Sequence, residues 1–278
     1  MKTAMLMALM TMLLMAIGDY FGGLQGMTIM LFFGVAMNFF TYWNSDKMVL
    51  AHYNAQEVDA RTAPRLYAIV KRLADRAKLP MPKVYIIDSP VPNAFATGRN
   101  PEHAAVAVNT ALADLLDEDE LAGVLAHELS HVKHRDILIS TVAASMAGAI
   151  STIAQWGMFL GGGRDENGES RNPFATILVM ILAPLAAALI QMAVSRSREY
   201  MADKSGGELC GDPNALADAL LKIEAFARRR VMPGATEATA HMFIINPFSG
   251  VNMRQLFSTH PPTEERVRLL REQARAMR

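Results

Sequence analysis

The string His127-Glu128-Leu129-Ser130-His131 sets two imidazoles four residues apart with a carboxylate between them. On a helix, positions i and i+4 share a face, so both rings can reach one ion about 2 Å from each nitrogen. Glu128 lies one residue round from His127, where it can reach a water activated by the metal without binding the ion. That is the placement of a general base in a zinc-dependent hydrolysis. The surrounding sequence predicts a helix over Glu118–Asp136: Asp117 serves as N-cap with Glu120 three residues on, and the first turn is acidic, as the helix dipole favours.

A catalytic zinc needs a third protein ligand and one open position. His134 falls on the same helix face but a full turn beyond His131, and no glycine turn is present to bring the chain back. It is expected to be a polar helix residue. Glu199 is the better candidate, in Ser197-Arg198-Glu199-Tyr200-Met201-Ala202-Asp203. There Glu199 and Asp203 share a face at i, i+4, so Glu199 can bind the metal while Asp203 accepts the free N–H of a ligand histidine and fixes its tautomer. Taken alone, the segment would read as a surface charge cluster with Arg196 and Arg198. The rival of another class is a scaffold with a structural zinc, but closed structural sites prefer four ligands, often cysteines. This chain has one cysteine, Cys210, and hence no internal disulfide.

These residues must be positioned by a chain that is 51% hydrophobic and only 19% charged, against roughly a quarter charged in ordinary soluble domains. The excess sits in four blocks, Thr3–Ile17, Met27–Trp43, Ile137–Leu160 and Phe174–Val194, close to the ~17–25 residues needed to cross a bilayer. The first block is short and could be a cleaved signal, but no small-x-small site follows and a second block arrives at once, so it is expected to remain as an anchor. Half of the twenty methionines fall in the first 48 residues and read as flexible apolar filler facing lipid. Lys2, Lys47, Lys133, Arg135, Arg196 and Arg198 flank one side of the blocks, against Arg164 and Arg171 on the other, which predicts cytoplasmic termini and a cytoplasmic active site.

The predicted organisation is therefore a transmembrane hairpin at 1–44, a first peptidase part at 45–136, a second hairpin at 137–194 and a second peptidase part at 195–278. Glycine-rich Gly18–Gly26 reads as the loop of the first hairpin. The soluble parts carry predicted helices at Thr62–Lys78, Ser197–Gly206, Asn214–Arg230 and Thr263–Ala276, and strand-like runs at Lys83–Ile87 and Ala104–Asn109 enclosing Pro92–Gly98. If the helices run unbroken out of the bilayer, His131 and Glu199 stand about 9 and about 7 Å above it. A net charge of zero gives no sign of nucleic-acid binding. A transporter would carry paired ionisable residues within its spans, and only Gln191 and a few hydroxyls or amides interrupt these. The apolar stretch His241–Phe248 reads equally as lid, membrane contact or core.

Taken in order, the two leading spans, Pro92-Asn93-Ala94-Phe95-Ala96-Thr97-Gly98, the zinc helix, a second hairpin, Ser197–Asp203 and Thr259-His260-Pro261 resemble the HtpX-type membrane zinc peptidases, bacterial relatives of the CAAX prenyl proteases. The resemblance covers nearly the whole chain. It implies a gluzincin-like fold, mainly α with a small β-sheet (α+β), combined with four transmembrane helices in two hairpins. It implies one Zn2+ per chain on His127, His131 and Glu199, with Glu128 as catalyst. It further implies a bacterial inner-membrane endopeptidase acting on membrane or misfolded proteins, within the lipid bilayer's reach, in quality control and stress response. The match at Asn93, Ala94 and Phe95 implies either an edge strand that pairs with an extended substrate or an ordinary hairpin strand. The match at His260 implies either a donor to the oxyanion or a cap on the helix that follows. A processing protease for lipidated or membrane-anchored peptides is the second reading, although four spans are few for an enclosed membrane chamber.

Overall fold

The computed structural model describes residues 2–143, 196–229, 243–244 and 261–277. The third apolar block beyond residue 143, the fourth block, the loop at 161–173, most of 241–248 and His260 lie outside the described residues.

Helix α1 (Lys2–His52) is broken only at Gly23, whose φ of 56° and ψ of −148° are open to glycine alone. The loop expected at Gly18–Gly26 thus shrinks to one residue. Two arms, Thr3–Tyr20 and Gly22–His52, are long and apolar enough to cross a membrane. They pack against one another through small residues: a Cβ on Gly18 or Gly26 would collide with the backbone of the other, and Gly34 faces Thr11 and Leu14. The Asn38 amide donates to Met7 O at 3.0 Å and to Thr11 Oγ1 at 2.8 Å. Phe32, Phe33, Phe39 and Phe40 point outward. Only 6% of the second arm's apolar window is buried, whereas the core helix of a soluble protein would be mostly covered.

The remaining elements are β1 (Gln56–Val58), α2 (Pro64–Ala77), β2 (Lys83–Ile87), β3 (Ala94–Gly98), β4 (Ala104–Asn109), α3 (Thr110–Leu115), α4 (Glu118–Lys133), α5 (Arg196–Cys210), α6 (Pro213–Arg229) and α7 (Thr263–Ala276). A further helical stretch begins at 137. The strands form one sheet in the order β1-β2-β4-β3, with β2 and β4 parallel and the outer pairs antiparallel. Side chains alternate between two faces. Val84, Ala94, Ala96, Val106 and Val108 join the main core with Leu125 and Leu129 of α4 and Leu216 and Leu220 of α6. Phe95, Ala105, Ala107 and Ile87 face Val49 and Leu50 at the end of α1. In α2, Leu66, Ile69, Val70 and Leu73 are buried at helical spacing and Pro64 opens the first turn, as its preset φ suits.

Helix α4 starts on the expected capping box, the Asp117 side chain accepting from Glu120 N while Glu120 accepts from Asp117 N. It does not run on to Asp136. Arg135 adopts a left-handed φ of 60°, with Arg135 N bonded to Val132 O at 3.1 Å and Asp136 N to His131 O at 2.9 Å. These bonds satisfy the last carbonyls of the helix and turn the chain before it starts helical again at 137. The unbroken helix behind the height estimate for His131 is thereby corrected, with a basic residue in the conformation usually left to glycine.

Candidate metal centre

Twelve residues of α4 are buried, among them His127 and Glu128, because α5, α6, α2 and β3 all pack on this helix. Two glycines let the neighbours approach. A Cβ on Gly206 of α5 would stand 2.9 Å from the His127 backbone, and one on Gly123 of α4 would stand 2.8 Å from Leu216 N of α6. The close crossing at Gly206 sets Glu199 and Asp203, two turns and one turn earlier on α5, against the face that carries His127 and His131.

Three ligand atoms converge there. His127 Nε2 and His131 Nε2 are 3.3 Å apart, His127 Nε2 lies 3.7 Å from Glu199 Oε2, and His131 Nε2 lies 3.6 Å from Glu199 Oε1. A tetrahedral zinc with bonds of about 2.0–2.1 Å has ligand–ligand edges of about 3.3 Å, so the group fits one zinc ion. Among the described residues, it is the one cluster of histidine, cysteine or carboxylate groups with this convergence. His134 is the residue capping α4 and takes no part.

The other nitrogen of His127 is held from behind. Nδ1 lies 2.9 Å from Asp203 Oδ1, and Arg266 of α7 grips both oxygens of Asp203 at 2.7 Å. The Arg266 guanidinium also donates to Ile244 O at 2.9 Å. Burial works against the Asp203 charge, but Arg266 outweighs it and holds the carboxyl at about 2, while Asp203 in turn pushes the Arg266 pKa up. Arg266 is 1% exposed. Its sequence signal is its place at i−4 from Leu270, on the face of α7 that also buries Thr263 and Ala274. His131 faces carboxylates too: burial lowers its pKa, but Asp136, Glu199 and Glu128 raise it to about 9 in the metal-free protein.

Glu128 lines the same cleft without joining the ligand group. Burial pushes its pKa up, the positive character of His127 and His131 opposes this, Glu199 adds to it, and the backbone N–H of Ala96 opposes it, donating to Glu128 Oε2 at 2.9 Å. The cleft has a volume of about 60 Å³ and is bounded by Ala96, Ile137, Ser140, Phe243 and Ile244 besides the site residues. Strand β3 forms its wall. Asn109 N bonds to Asn93 O, and the antiparallel alternation then turns the backbone of Phe95 and Thr97 toward β4 and that of Ala94, Ala96 and Gly98 toward the free edge. Of the residues marked in the sequence, Ala94 therefore turns its backbone groups to the free edge, and Phe95 borders the cleft while its ring packs on Tyr53 at 5.6 Å. Asn93 accepts from Ile244 N at 3.1 Å. Ala96, Asp136 and Arg266 were not singled out by residue pattern, since Ala96 acts through its backbone, Asp136 is placed by the left-handed turn at Arg135, and Arg266 meets a partner 63 residues away.

A carboxylate kept out of the ligand group yet inside its cleft has the chemistry to move a proton between water and a leaving amine, and this makes the chain a zinc metallopeptidase. It belongs to peptidase family M48, whose model matches residues 60–274. Over 279 aligned residues it is 60% identical to a "Protease HtpX homolog" of Burkholderia thailandensis, covering 100% of this chain and 98% of the relative. A protein of the same description from Burkholderia mallei matches to the same extent. The fold is similar to the crystal structure of S. mikatae Ste24p, with a TM-score of 0.53 and 18% identity over 94% of this chain and 62% of that one.

Proposed function

We propose that the chain is a membrane-bound zinc endopeptidase that cuts membrane or misfolded proteins on the cytoplasmic face of a bacterial inner membrane, in quality control and stress response. The observation that carries this is the convergence of His127, His131 and Glu199 beside the buried carboxylate of Glu128. The "Protease" in the names of the Burkholderia relatives supports it. For the topology we take four spans in two hairpins, 1–44 and 137–194, with the peptidase formed by 45–136 and 195–278. The basic flanks of the apolar blocks favour the cytoplasmic side.

His127, His131 and Glu199 hold the ion, and Asp203 orients His127. When bound, zinc supplies Lewis acidity that brings a water toward a pKa of about 7 and polarises a peptide carbonyl. Glu128 takes the proton of that water and passes it to the leaving amine. Its raised pKa suits the exchange, because a base closer to neutrality returns the proton more readily. The outward backbone groups of Ala94 and the outward carbonyl of Ala96 pair with an extended substrate, Asn93 and Phe95 flanking Ala94. His260 is assigned to the oxyanion.

Glu128→Gln tests the reading. The variant should keep the fold and one zinc per chain yet cut a denatured protein substrate at least a thousandfold more slowly. Wild-type cleavage by the purified variant would end the proposal.

A further inference from the structure

Resting on the metal-site reading above, we infer that Asp136 and Arg198 form a positioning pair for His131, the counterpart of Asp203 and Arg266 behind His127. His131 Nδ1 lies 3.6 Å from Asp136 Oδ2, and Asp136 Oδ1 lies 3.5 Å from Arg198 Nη1. All three side chains are largely buried, at 16%, 15% and 12% exposed. Each ligand imidazole thus turns one nitrogen to the metal position and the other to a carboxylate, and each carboxylate meets an arginine. A carboxylate in that place selects the tautomer with the proton on Nδ1 and makes the opposite nitrogen a stronger ligand. The arginine fixes the direction of the carboxylate.

The backbone delivers Asp136 to this place. The left-handed turn at Arg135 folds the chain back so that Asp136 N bonds to His131 O at 2.9 Å. Were α4 to continue, Asp136 would lie five positions, about 500° of helical rotation, beyond His131 and point to another side. Arg198 arrives from α5, next to the ligand Glu199. The pair therefore ties the end of α4 to the start of α5, and two of the three ligands are adjusted by one contact. His131, more exposed than His127, has the greater need of such a hold.

The test measures zinc affinity by competition with a chromophoric chelator on the full-length chain in detergent, alongside peptide cleavage at saturating zinc. Asp136→Asn and Arg198→Gln should each weaken zinc binding 10–100-fold and lower kcat with little change in KM. The charge-reversed double variant, Asp136→Arg with Arg198→Asp, separates positioning from simple clamping. It restores an ion pair between the helices, so the metal-free thermal midpoint should recover while zinc affinity stays low. Asp136→Glu, which keeps the carboxylate, should recover part of the affinity. Zinc affinity within twofold of wild type in the single variants, or affinity fully restored by the reversed pair, would overturn the assignment. Because affinity is read without cleavage, the result is distinct from failure of the peptidase reading.

Discussion

Glu128 Oε2 accepts the backbone N–H of Ala96 at 2.9 Å, so the proposed base is anchored to the strand edge beside which a substrate would lie. This N–H stabilises the charged carboxylate and lowers a pKa that burial has raised. Ala96→Pro removes the donor without touching the β4 ladder, since Ala96 turns its N–H to the free edge. The Glu128 pKa should then rise further, and since the base works ionised, activity should begin at a higher pH. The acid limb of kcat/KM is expected to move to higher pH. An unmoved limb in a folded, zinc-loaded variant would show that the contact does not tune the base.

Gly206 admits no side chain, because an added Cβ meets the backbone of His127 at 2.9 Å. Gly206→Ala should force α5 away from α4, cost about 1–3 kcal/mol of stability and carry Glu199 and Asp203 off the histidines. Gly207→Ala meets the flexible end of Gln273 at 2.9 Å and Pro213 at 3.0 Å, so its effect should be milder and leave zinc bound. Thermal midpoints and metal content of the two variants check the contrast.

Zinc must displace a proton from His131, whose pKa in the metal-free protein is raised to about 9. Below that value the proton competes with the metal, so affinity should rise with pH by up to tenfold per unit and level off above about 9. Calorimetry near pH 7.5 in two buffers of different ionisation heat should report about one proton released per zinc from this group. Chelation should abolish cleavage, and added zinc should restore it.

Arg266→Met leaves Asp203 buried without its cation, and breaking such a pair costs about 3–5 kcal/mol. The pH dependence should reverse as well. In the native protein the depressed Asp203 pKa gives stability that is complete above the ordinary value of 3.8 and lost as pH falls toward about 2. In the variant, burial raises the pKa, so this site should become more favourable as pH falls through the carboxylate range. Chemical unfolding of the metal-free proteins at pH 6 and pH 4 should show the variant gaining at this site while the native Asp203 contribution stays constant over the same interval.

The ligands of the centre were legible because each lies on a helix whose spacing is written locally: His127 and His131 at i, i+4, Glu199 and Asp203 at i, i+4, and the α4 start in a capping box. The α2 face was legible for the same reason. What escaped the sequence depends on distant partners or on backbone strain. Arg266 finds Asp203 across 63 residues, and no local pattern marks a left-handed arginine at 135. Strand β1 has three residues, too few for a period to declare itself. At Gly18–Gly26 the glycines imitate a loop, yet all but Gly23 remain helical, which keeps their backbone groups paired within the helix.

The Asn38 amide that joins the arms of α1 has a consequence for where cutting can occur. In hydrocarbon, a slip of one arm past the other by a turn would strand that donor with no solvent to rescue it, so the anchor acts as a peg of fixed length. Val49 and Leu50 at its C-terminal end pack against the sheet, and the Arg99 guanidinium rests 4.5 Å above the Trp43 ring. The locked arms and the contacts above them thus hold the catalytic cleft at one set distance from the apolar hairpin.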